Sequence, residues 1–156
     1  MASTQFESID ARQCFPCWDE PRRKATFKVT LTVPRHMSAL SNMPIACHRD
    51  NGPEAGTVTT AFMISPRMST YLLAFVVGEF AQVAALTKNG VLVAVYTPPL
   101  KPELGEFALG CAVAALDRYD EQFGHPYPLP KLDSESTAVT AMLALLCLLS
   151  VTVVQP

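Results

Sequence analysis

The hydrophobic pattern of the chain changes period near Pro98-Pro99, and this change restricts the fold to a β segment followed by a helix. Before it, residues 25–33 alternate between apolar and polar side chains, the period-2 pattern of a half-buried strand. Short apolar runs predict three further strands, at residues 57–64, 70–79 and 91–97. Asn89-Gly90 favours a tight hairpin turn before the last of them. The sequence therefore predicts a mainly antiparallel β unit up to residue 99.

After Pro98-Pro99 the apolar residues recur at intervals of three and four, which predicts an amphipathic helix over residues 102–123. Pro102 suits a first helical turn, and Gly124 with Pro126 ends the pattern. The prolines within residues 126–130 then require an extended segment. The stripe that we expect to face the core consists of Leu104, Phe107, Ala108, Cys111, Ala115 and Tyr119.

Charge is distributed unevenly along the chain. All 12 basic and 14 acidic residues lie at or before Glu135, and the net charge is −2. Without a basic excess the chain lacks the electrostatic footprint of nucleic-acid binding, so we expect no nucleic-acid partner. The charge-free residues 138–154 have the minimum length of a membrane span. They predict a C-terminal membrane anchor, a buried helix or strand, or an end produced by a shifted reading frame or a retained intron.

The N-terminal residues and the cysteines indicate a reducing compartment. The first 12 residues include Glu7 and Asp10 and lack the apolar run of a secretory signal. Five irregularly spaced cysteines argue against a disulfide framework, so we expect a cytoplasmic location. Cys14 and Cys17 have the C-x-x-C spacing of redox and zinc sites, but no helical pattern begins there and the sequence holds no second ligand pair. Buried small side chains are the simpler interpretation.

Other chemical motifs are sparse. His36, His48 and His125 lie beside turn residues, which favours surface or loop histidines over metal ligands. The sequence contains no G-x-S-x-G, no glycine-rich phosphate loop and no H-E-x-x-H. In Thr4-Gln5-Phe6-Glu7, the side chains of Gln5 and Glu7 project to one side if the segment is extended. Such an amide and carboxylate can hold an ammonium group, although a solvated polar edge is the ordinary interpretation.

Long segments of the chain nevertheless resemble the M1 (gluzincin) family of zinc aminopeptidases. The matching segments are TQFE (4–7), DAR (10–12), FPCWDEP (15–21), KATF (24–27), ALSNM (39–43), MSTYL (68–72), AFVVGE (74–79), VYTP (95–98) and PYPLPKLD (126–133). They keep the order and the approximate spacing of the family over residues 2–133. The resemblance is therefore far more specific than a single short motif.

The resemblance implies a domain organisation. In that family a saddle-like antiparallel N-terminal β domain precedes a thermolysin-like catalytic domain. Residues 1–99 are then part of the β domain, and residues 100–133 are the start of the catalytic domain with its helix and proline-rich loop. Residues 134–156 form a divergent apolar tail. The implied junction near Pro98 coincides with the change of hydrophobic period.

The resemblance also implies a substrate-binding role for Gln5 and Glu7. Their counterparts line the first substrate pocket, where the acidic residue helps to hold the free α-amino group of a peptide N-terminus. The family's G-A-M-E-N strand and H-E-x-x-H zinc motif, which follow its PYPLPK loop, have no match in this sequence. We therefore expect no catalytic and no metal-binding residue in the chain, with zinc confined to the full-length family.

Three functional hypotheses follow. The first is a truncated M1 metallo-aminopeptidase-like protein, from a family that removes N-terminal amino acids from peptides, that is inactive alone. The second is a non-catalytic interaction module, which associates through exposed β edges or is anchored in a membrane through residues 138–154. The third is an incomplete gene model of an active enzyme. Unpaired strand edges and an uncovered helix face also predict low solubility or dependence on a partner.

Overall fold

A computed structural model describes residues 1–99 and 102–135 of the chain. These residues separate into a first compact unit, Met1–Glu79, and a second that begins at Phe80. The strands are β1 Ala2–Ser3, β2 Lys24–Ala25, β3 Thr30–Pro34, β4 Ser38–Ser41, β5 Ile45–Asp50, β6 Thr57–Phe62, β7 Met68–Ser69, β8 Phe75–Gly78, β9 Ala81–Leu86, β10 Leu92–Thr97 and β11 Lys131–Glu135. The helices are α1 Ala11–Cys14 and α2 Glu103–Phe123.

The first unit consists of three small antiparallel sheets, with strand orders β1-β8-β4, β2-β7 and β3-β6-β5. Two apolar clusters form beside them. One is built around Phe6, Ala11, Met68 and Leu73. The other contains Val33, Ala39, Val58 and Phe62. Since all pairs in this unit are antiparallel, the prediction of a mainly antiparallel β fold is confirmed.

The strand predicted over residues 25–33 is only partly correct. Its alternation is confirmed from Phe27 onward, where the apolar residues are partly or fully buried and the polar ones are exposed. Its continuity is wrong, because β2 and β3 pair with different strands. Phe27 explains the break: its N–H bonds the Ser65 hydroxyl and its carbonyl accepts from the Ser65 N–H. Its backbone groups are thus used outside either ladder.

The other strand predictions differ in outcome. The runs 57–64 and 91–97 are confirmed as β6 and β10, with slightly different ends. The run 70–79 is wrong in its first half, because Thr70–Leu72 forms a 3₁₀ turn and only Phe75–Gly78 is a strand. The Asn42 side chain explains this, since it donates to the Leu72 carbonyl and accepts from the Ala74 N–H. Six strands were not predicted: β1, β4, β5, β7, β9 and β11.

In the described residues of the second unit, helix α2 packs against a three-stranded sheet. The strand order is β11-β10-β9, with β10 antiparallel to β9 and parallel to β11. The Asn89-Gly90 turn is confirmed, because Gly90 has φ +80° and its N–H bonds the Thr87 carbonyl in the β9–β10 connection. The parallel β10–β11 pair is an exception to the antiparallel pattern, since α2 lies between the two strands in the sequence.

Helix α2 begins and ends as predicted, but a different face packs on the sheet. Pro102 precedes its first turn, and Gly124 ends it in the left-handed region at φ +66°. The predicted stripe is wrong as a core face, because Leu104 is 55% and Phe107 84% exposed. The packed residues are Gly105, Leu109, Ala112 and Leu116, which lie roughly 100° further around the helix. Two of these four residues, Gly105 and Ala112, are small, so the hydrophobic signal of the packed face is weak.

Two predictions are left open by this structure. The apolar run 138–154 lies outside the described residues. The domain junction predicted near residue 100 also stays a prediction, since the compact units divide at Glu79 and the change of hydrophobic period marks the start of α2 inside the second unit. Across the residues that can be described, no helix is long and apolar enough to cross a membrane.

Candidate functional site

The segment Thr4–Glu7 leaves β1 with its backbone tied to the neighbouring strand β8. The Thr4 N–H donates to the Phe75 carbonyl at 3.0 Å, and the Thr4 hydroxyl accepts from the Phe75 N–H at 2.9 Å. These two bonds fix the start of the segment against Phe75. The side chains that follow therefore emerge from a defined backbone position.

Phe6 anchors the middle of the segment. Its side chain is only 5% exposed and meets the rings of Phe15 and Phe75 edge to face, with ring centroids 6.0 Å apart in both pairs. The neighbours of Phe6 along the chain, Gln5 and Glu7, are both exposed. The burial of one aromatic ring thus leaves the amide and the carboxylate on either side of it open to solvent.

Gln5 and Glu7 are also joined directly. The Glu7 N–H donates to the Gln5 Oε1 at 3.2 Å. A carbonyl oxygen has two lone pairs, so Gln5 Oε1 retains an acceptor position, and an ionised Glu7 carboxylate is an acceptor only. Two acceptor groups this close in sequence can bind a cation that carries several N–H donors. Their assignment as a substrate-binding pair stays a prediction.

A buried acid supports the chain beside this segment. The Asp19 side chain is 2% exposed, and its Oδ2 accepts from the Arg12 backbone N–H at 3.1 Å and from Arg12 Nε at 3.4 Å. Arg12 Nη2 also donates to the Asp19 carbonyl. These bonds hold the loop between α1 and Asp19 against the helix. Trp18, which lies in this loop, is 75% exposed. Seven residues separate the pair, and no local periodicity links them, so sequence reasoning missed this contact.

The C-x-x-C pair has none of the features of a redox or zinc site. Cys14 is the last residue of α1, and a thiolate gains stabilisation at a helix N-terminus, not at its end. Partial burial raises the pKa of the Cys17 thiol, and Asp19 acts in the same direction. Both cysteines are free thiols. The expectation of buried side chains is wrong for Cys14, which is exposed because it ends a single-turn helix.

The three histidines lie apart from one another. His36 lies in a turn with Nε2 3.7 Å from the Glu79 carboxylate, His48 bonds the Thr60 hydroxyl at 3.0 Å, and His125 is exposed after α2. Among the residues described here, no three His, Cys, Asp or Glu side chains form a group that could hold a metal ion. The described residues therefore do not fit a zinc site.

A second polar cluster lies in the second unit, on β11. Lys131 and Asp133 form an ion pair whose side chains are 11% and 16% exposed. Burial raises the pKa of Asp133, although Lys131 opposes the rise. Burial, helped by the Asp133 carboxylate, also raises the pKa of Tyr127 to about 12. Since both charged side chains are largely enclosed, this pair belongs to the packing of β11 rather than to an open site.

A shallow depression of about 680 Å³ lies on the β3-β6-β5 sheet. Its polar groups largely satisfy one another: the Asn51 amide donates to the hydroxyls of Thr57 and Thr59, and Arg35 pairs with Asp50. The residues that line it are Thr32, Arg49, Asp50, Asn51, Ala55, Thr57 and Thr59. No enclosed polar group points into it, so the segment around Gln5 and Glu7 is the stronger candidate.

Comparison with known proteins agrees with the resemblance found in the sequence. Residues 1–72 match the Peptidase M1 N-terminal domain. Over 133 residues, or 85% of its length, the chain is 54% identical to Aminopeptidase M1-C of Oryza sativa subsp. japonica and 52% identical to Aminopeptidase M1 of Arabidopsis thaliana. It is 50% identical to the Puromycin-sensitive aminopeptidase of Caenorhabditis elegans over 133 residues. The chain spans about 15% of the length of these relatives.

Proposed function

Since residues 1–72 match the Peptidase M1 N-terminal domain, we propose that this chain belongs to the peptidase M1 family and supplies the part of an M1 aminopeptidase that binds the free α-amino group of a peptide. In this proposal Gln5 and Glu7 bind the ammonium group, and the 156-residue chain does not hydrolyse peptides by itself. Residues 1–99 form part of the family's β domain and residues 100–133 begin its catalytic domain. The chain acts in the cytoplasm.

The observation that carries the proposal is the placement of Gln5 and Glu7 around Phe6. The buried ring and the Thr4–Phe75 bonds hold the backbone, while the two acceptor side chains face solvent. A protonated amine has three N–H donors, so it can bond a carboxylate and an amide oxygen together. A charge-assisted bond to a carboxylate is about twice as strong as a neutral one, which favours a free N-terminus over a blocked one.

The absence of hydrolysis is proposed from the chemistry that zinc requires. A catalytic zinc site has three protein ligands, usually histidine and carboxylate. The sequence holds three histidines, His36, His48 and His125, and no H-E-x-x-H. Among the described residues, His36 meets only one acid, Glu79, and no three His, Cys, Asp or Glu side chains form a group that could hold a metal ion. In this proposal the zinc of M1 aminopeptidases is therefore held by residues that this chain does not contain.

An assay on a fluorogenic amino-acid amide tests this part of the proposal. The purified chain is incubated with the amide, with added zinc and separately with a chelator. We expect no release of the fluorophore above the protein-free rate in either case. Turnover that requires zinc and is abolished by the chelator would show that the chain holds a working metal site, and the proposal would be wrong.

A second candidate function is that of an interaction module, and strand β5 favours it. All six residues of Ile45–Asp50 are exposed, and β5 is an edge strand that pairs only with β6 in its sheet. An unpaired edge can add a strand from another chain. We expect Ile45→Lys to raise the monomeric fraction in size-exclusion chromatography, whereas Met63→Lys, at a similarly exposed residue outside the strands, does not.

If neither variant changes the elution profile, association through this edge is excluded. Attachment to a membrane through residues 138–154 is the other form of this second function. Flotation of the chain with phosphatidylcholine vesicles would support it, and recovery in the aqueous fraction would contradict it.

A further inference from the structure

A dense group of positive charges lies in and around strand β2. Residues 20–28 contain one acidic side chain, Glu20, and four basic ones, which are Arg22, Arg23, Lys24 and Lys28. Arg22 is paired with Glu20 at 2.7 Å, and the other three form no ion pair with any described residue. The segment is thus a locally basic surface on a chain whose net charge is −2.

Thr26 lies in the middle of this group, between β2 and β3. Its side chain is exposed, and its hydroxyl makes no hydrogen bond to a described residue. Lys24 and Lys28 lie two residues before and after it, so in an extended chain the three side chains project to the same side. The intervening apolar residues Phe27 and Val29 pack instead against the first apolar cluster. The Thr26 hydroxyl therefore faces solvent among cationic side chains.

A fifth basic side chain, Arg67, lies across from Thr26 on the neighbouring segment. The β2–β7 ladder ends one residue before Thr26, and the two segments are joined again where Phe27 exchanges hydrogen bonds with Ser65. Arg67 lies between these two contacts and is exposed. Since opposite side chains of an antiparallel pair are neighbours, a group bound to the Thr26 hydroxyl lies within reach of the Arg67 guanidinium.

Basic residues before an exposed hydroxyl suit recognition by a protein kinase. Kinases select their substrates partly by charge, and acidic groups on a kinase are complementary to basic residues close to the hydroxyl. Arg23 and Lys24, three and two residues before Thr26, carry that charge. We propose that Thr26 is a phosphorylation site for a kinase that selects basic substrates.

The reaction transfers the γ-phosphoryl group of ATP to Thr26. The Thr26 Oγ1 forms the new bond to phosphorus, the bond from phosphorus to the β–γ bridging oxygen breaks, ADP leaves, and the hydroxyl proton passes to a carboxylate of the kinase. The added phosphate carries a charge of about −1.5 to −2 at pH 7. Lys24, Lys28 and Arg67 lie around this anion, and charge-assisted hydrogen bonds to it strengthen the contact between β2 and β7.

Ser38 is a matched competitor within the same unit. It is also exposed, and Arg35 lies three residues before it. Arg35 is paired with Asp50, however, and Ser38 belongs to the β4–β8 ladder, where it lies opposite Gly78. A kinase would have to break both contacts to bind this segment, whereas Thr26 lies outside the ladders. The proposal therefore predicts phosphate at Thr26 and not at Ser38.

Phosphorylation of the folded, full-length chain tests the proposal. The chain is incubated with ATP and a purified kinase that selects basic residues before its target hydroxyl, and the modified residue is located by mass spectrometry. We expect phosphate at Thr26 and its loss in Thr26→Ala. Replacing Arg23 and Lys24 together by alanine should lower the rate at least about tenfold. The control Arg49→Ala, at an exposed arginine of β5, should leave the rate unchanged.

Urea unfolding measures what the phosphate does once it is attached. We expect the phosphorylated chain to unfold at a higher urea concentration than the unmodified chain, and the difference to shrink at high salt. Arg67→Ala should still accept phosphate, because Arg67 does not precede the hydroxyl, but its two forms should differ less in urea.

Several results would overturn the proposal. One is phosphate mainly at Ser38 or another residue, and a second is an unchanged rate when Arg23 and Lys24 are replaced. A third is no phosphate on the folded chain while the same kinase modifies a free peptide of residues 20–30. A phosphorylated chain that unfolds at a lower urea concentration would show that the basic side chains do not bind the phosphate, which equally contradicts the site described.

Discussion

At the scale of single residues, Phe6 determines where the candidate binding groups lie. Its ring is enclosed by Phe15 and Phe75, and its position in the chain sets Gln5 and Glu7 on the exposed side. The exposure of these two residues follows from simple alternation and could be predicted from the sequence. The buried Asp19 and its bonds to Arg12 could not, since that contact depends on how α1 folds back on the following loop.

Truncation of Phe6 should therefore disturb both stability and the candidate site. We expect Phe6→Ala to lower the free energy of unfolding by about 3–5 kcal/mol, because it removes a buried aromatic ring and leaves a cavity. Urea unfolding followed by circular dichroism measures this. Ile9→Ala, at an exposed side chain close by, should cost less than about 1 kcal/mol. Equal effects of the two variants would contradict the assignment of Phe6 as the anchor.

Tyr127 should make stability depend on pH in the alkaline range. An unfolded tyrosine has a pKa of 10.0, whereas burial raises the pKa of Tyr127 to about 12 in the folded chain. The folded state thus holds the proton more tightly, and a stabilisation present below pH 10 is lost as the pH rises towards 12. A pKa shift of this size corresponds to a contribution of at most about 3 kcal/mol to the free energy of unfolding.

The Tyr127→Phe variant isolates this contribution. We expect its stability to fall less steeply between pH 10 and pH 12 than that of the native chain, in urea titrations at fixed pH. Part of the slope should remain, because burial also raises the pKa of Tyr96 to about 12. An unchanged slope in the variant would show that Tyr127 ionises equally in the folded and unfolded states.

At the scale of elements, helix α2 shows what the sequence can and cannot reveal. Its ends are predictable because Pro102 and Gly124 act locally on the backbone. Its packed face is not, because Gly105 and Ala112 carry little hydrophobic signal, while the large side chains of Leu104 and Phe107 form a stronger pattern. The close approach of Gly105 to the sheet is a tertiary contact, and this contact decides which of the two apolar faces of α2 packs on the sheet.

Two glycines in α2 should respond oppositely to the same substitution. A Cβ on Gly105 would lie 2.8 Å from Val83 Cγ2, so we expect Gly105→Ala to destabilise the fold by about 1–3 kcal/mol through overpacking. Gly110 has no atom within 4 Å of that position, so Gly110→Ala should stabilise the helix by about 0.5–1 kcal/mol. Thermal unfolding compares them, and stabilisation by both would contradict the packing described here.

Strand β11 shows a second limit of prediction at this scale. Residues 131–135 are mostly polar, and nothing in their own pattern indicates a strand. They become one because the chain returns beside β10 after α2, and the paired backbone groups, rather than side-chain periodicity, define the element. The two paired strands, β10 and β11, lie far apart in the sequence. A reading of local pattern therefore finds β10 and misses its parallel neighbour.

At the scale of the whole molecule, the family could be identified from the sequence and the detailed packing could not. Nine ordered segments resemble the M1 family, and the comparison with M1 aminopeptidases agrees at 50–54% identity over 133 residues. The chain covers about 15% of those relatives, so its activity has to be argued from the groups that it contains. We propose that Gln5 and Glu7 are those groups, and that they bind a free amino group is the central claim.

An NMR titration tests this claim most directly. A short peptide with a free α-amino group is added to the isotope-labelled chain, and an N-acetylated peptide of the same sequence serves as the control. We expect the free peptide to shift the backbone amide resonances of Gln5, Phe6 and Glu7, the acetylated peptide to leave them unchanged, and Glu7→Gln to abolish the shifts. Equal shifts from both peptides, or none from the free peptide up to its solubility limit, would contradict the account.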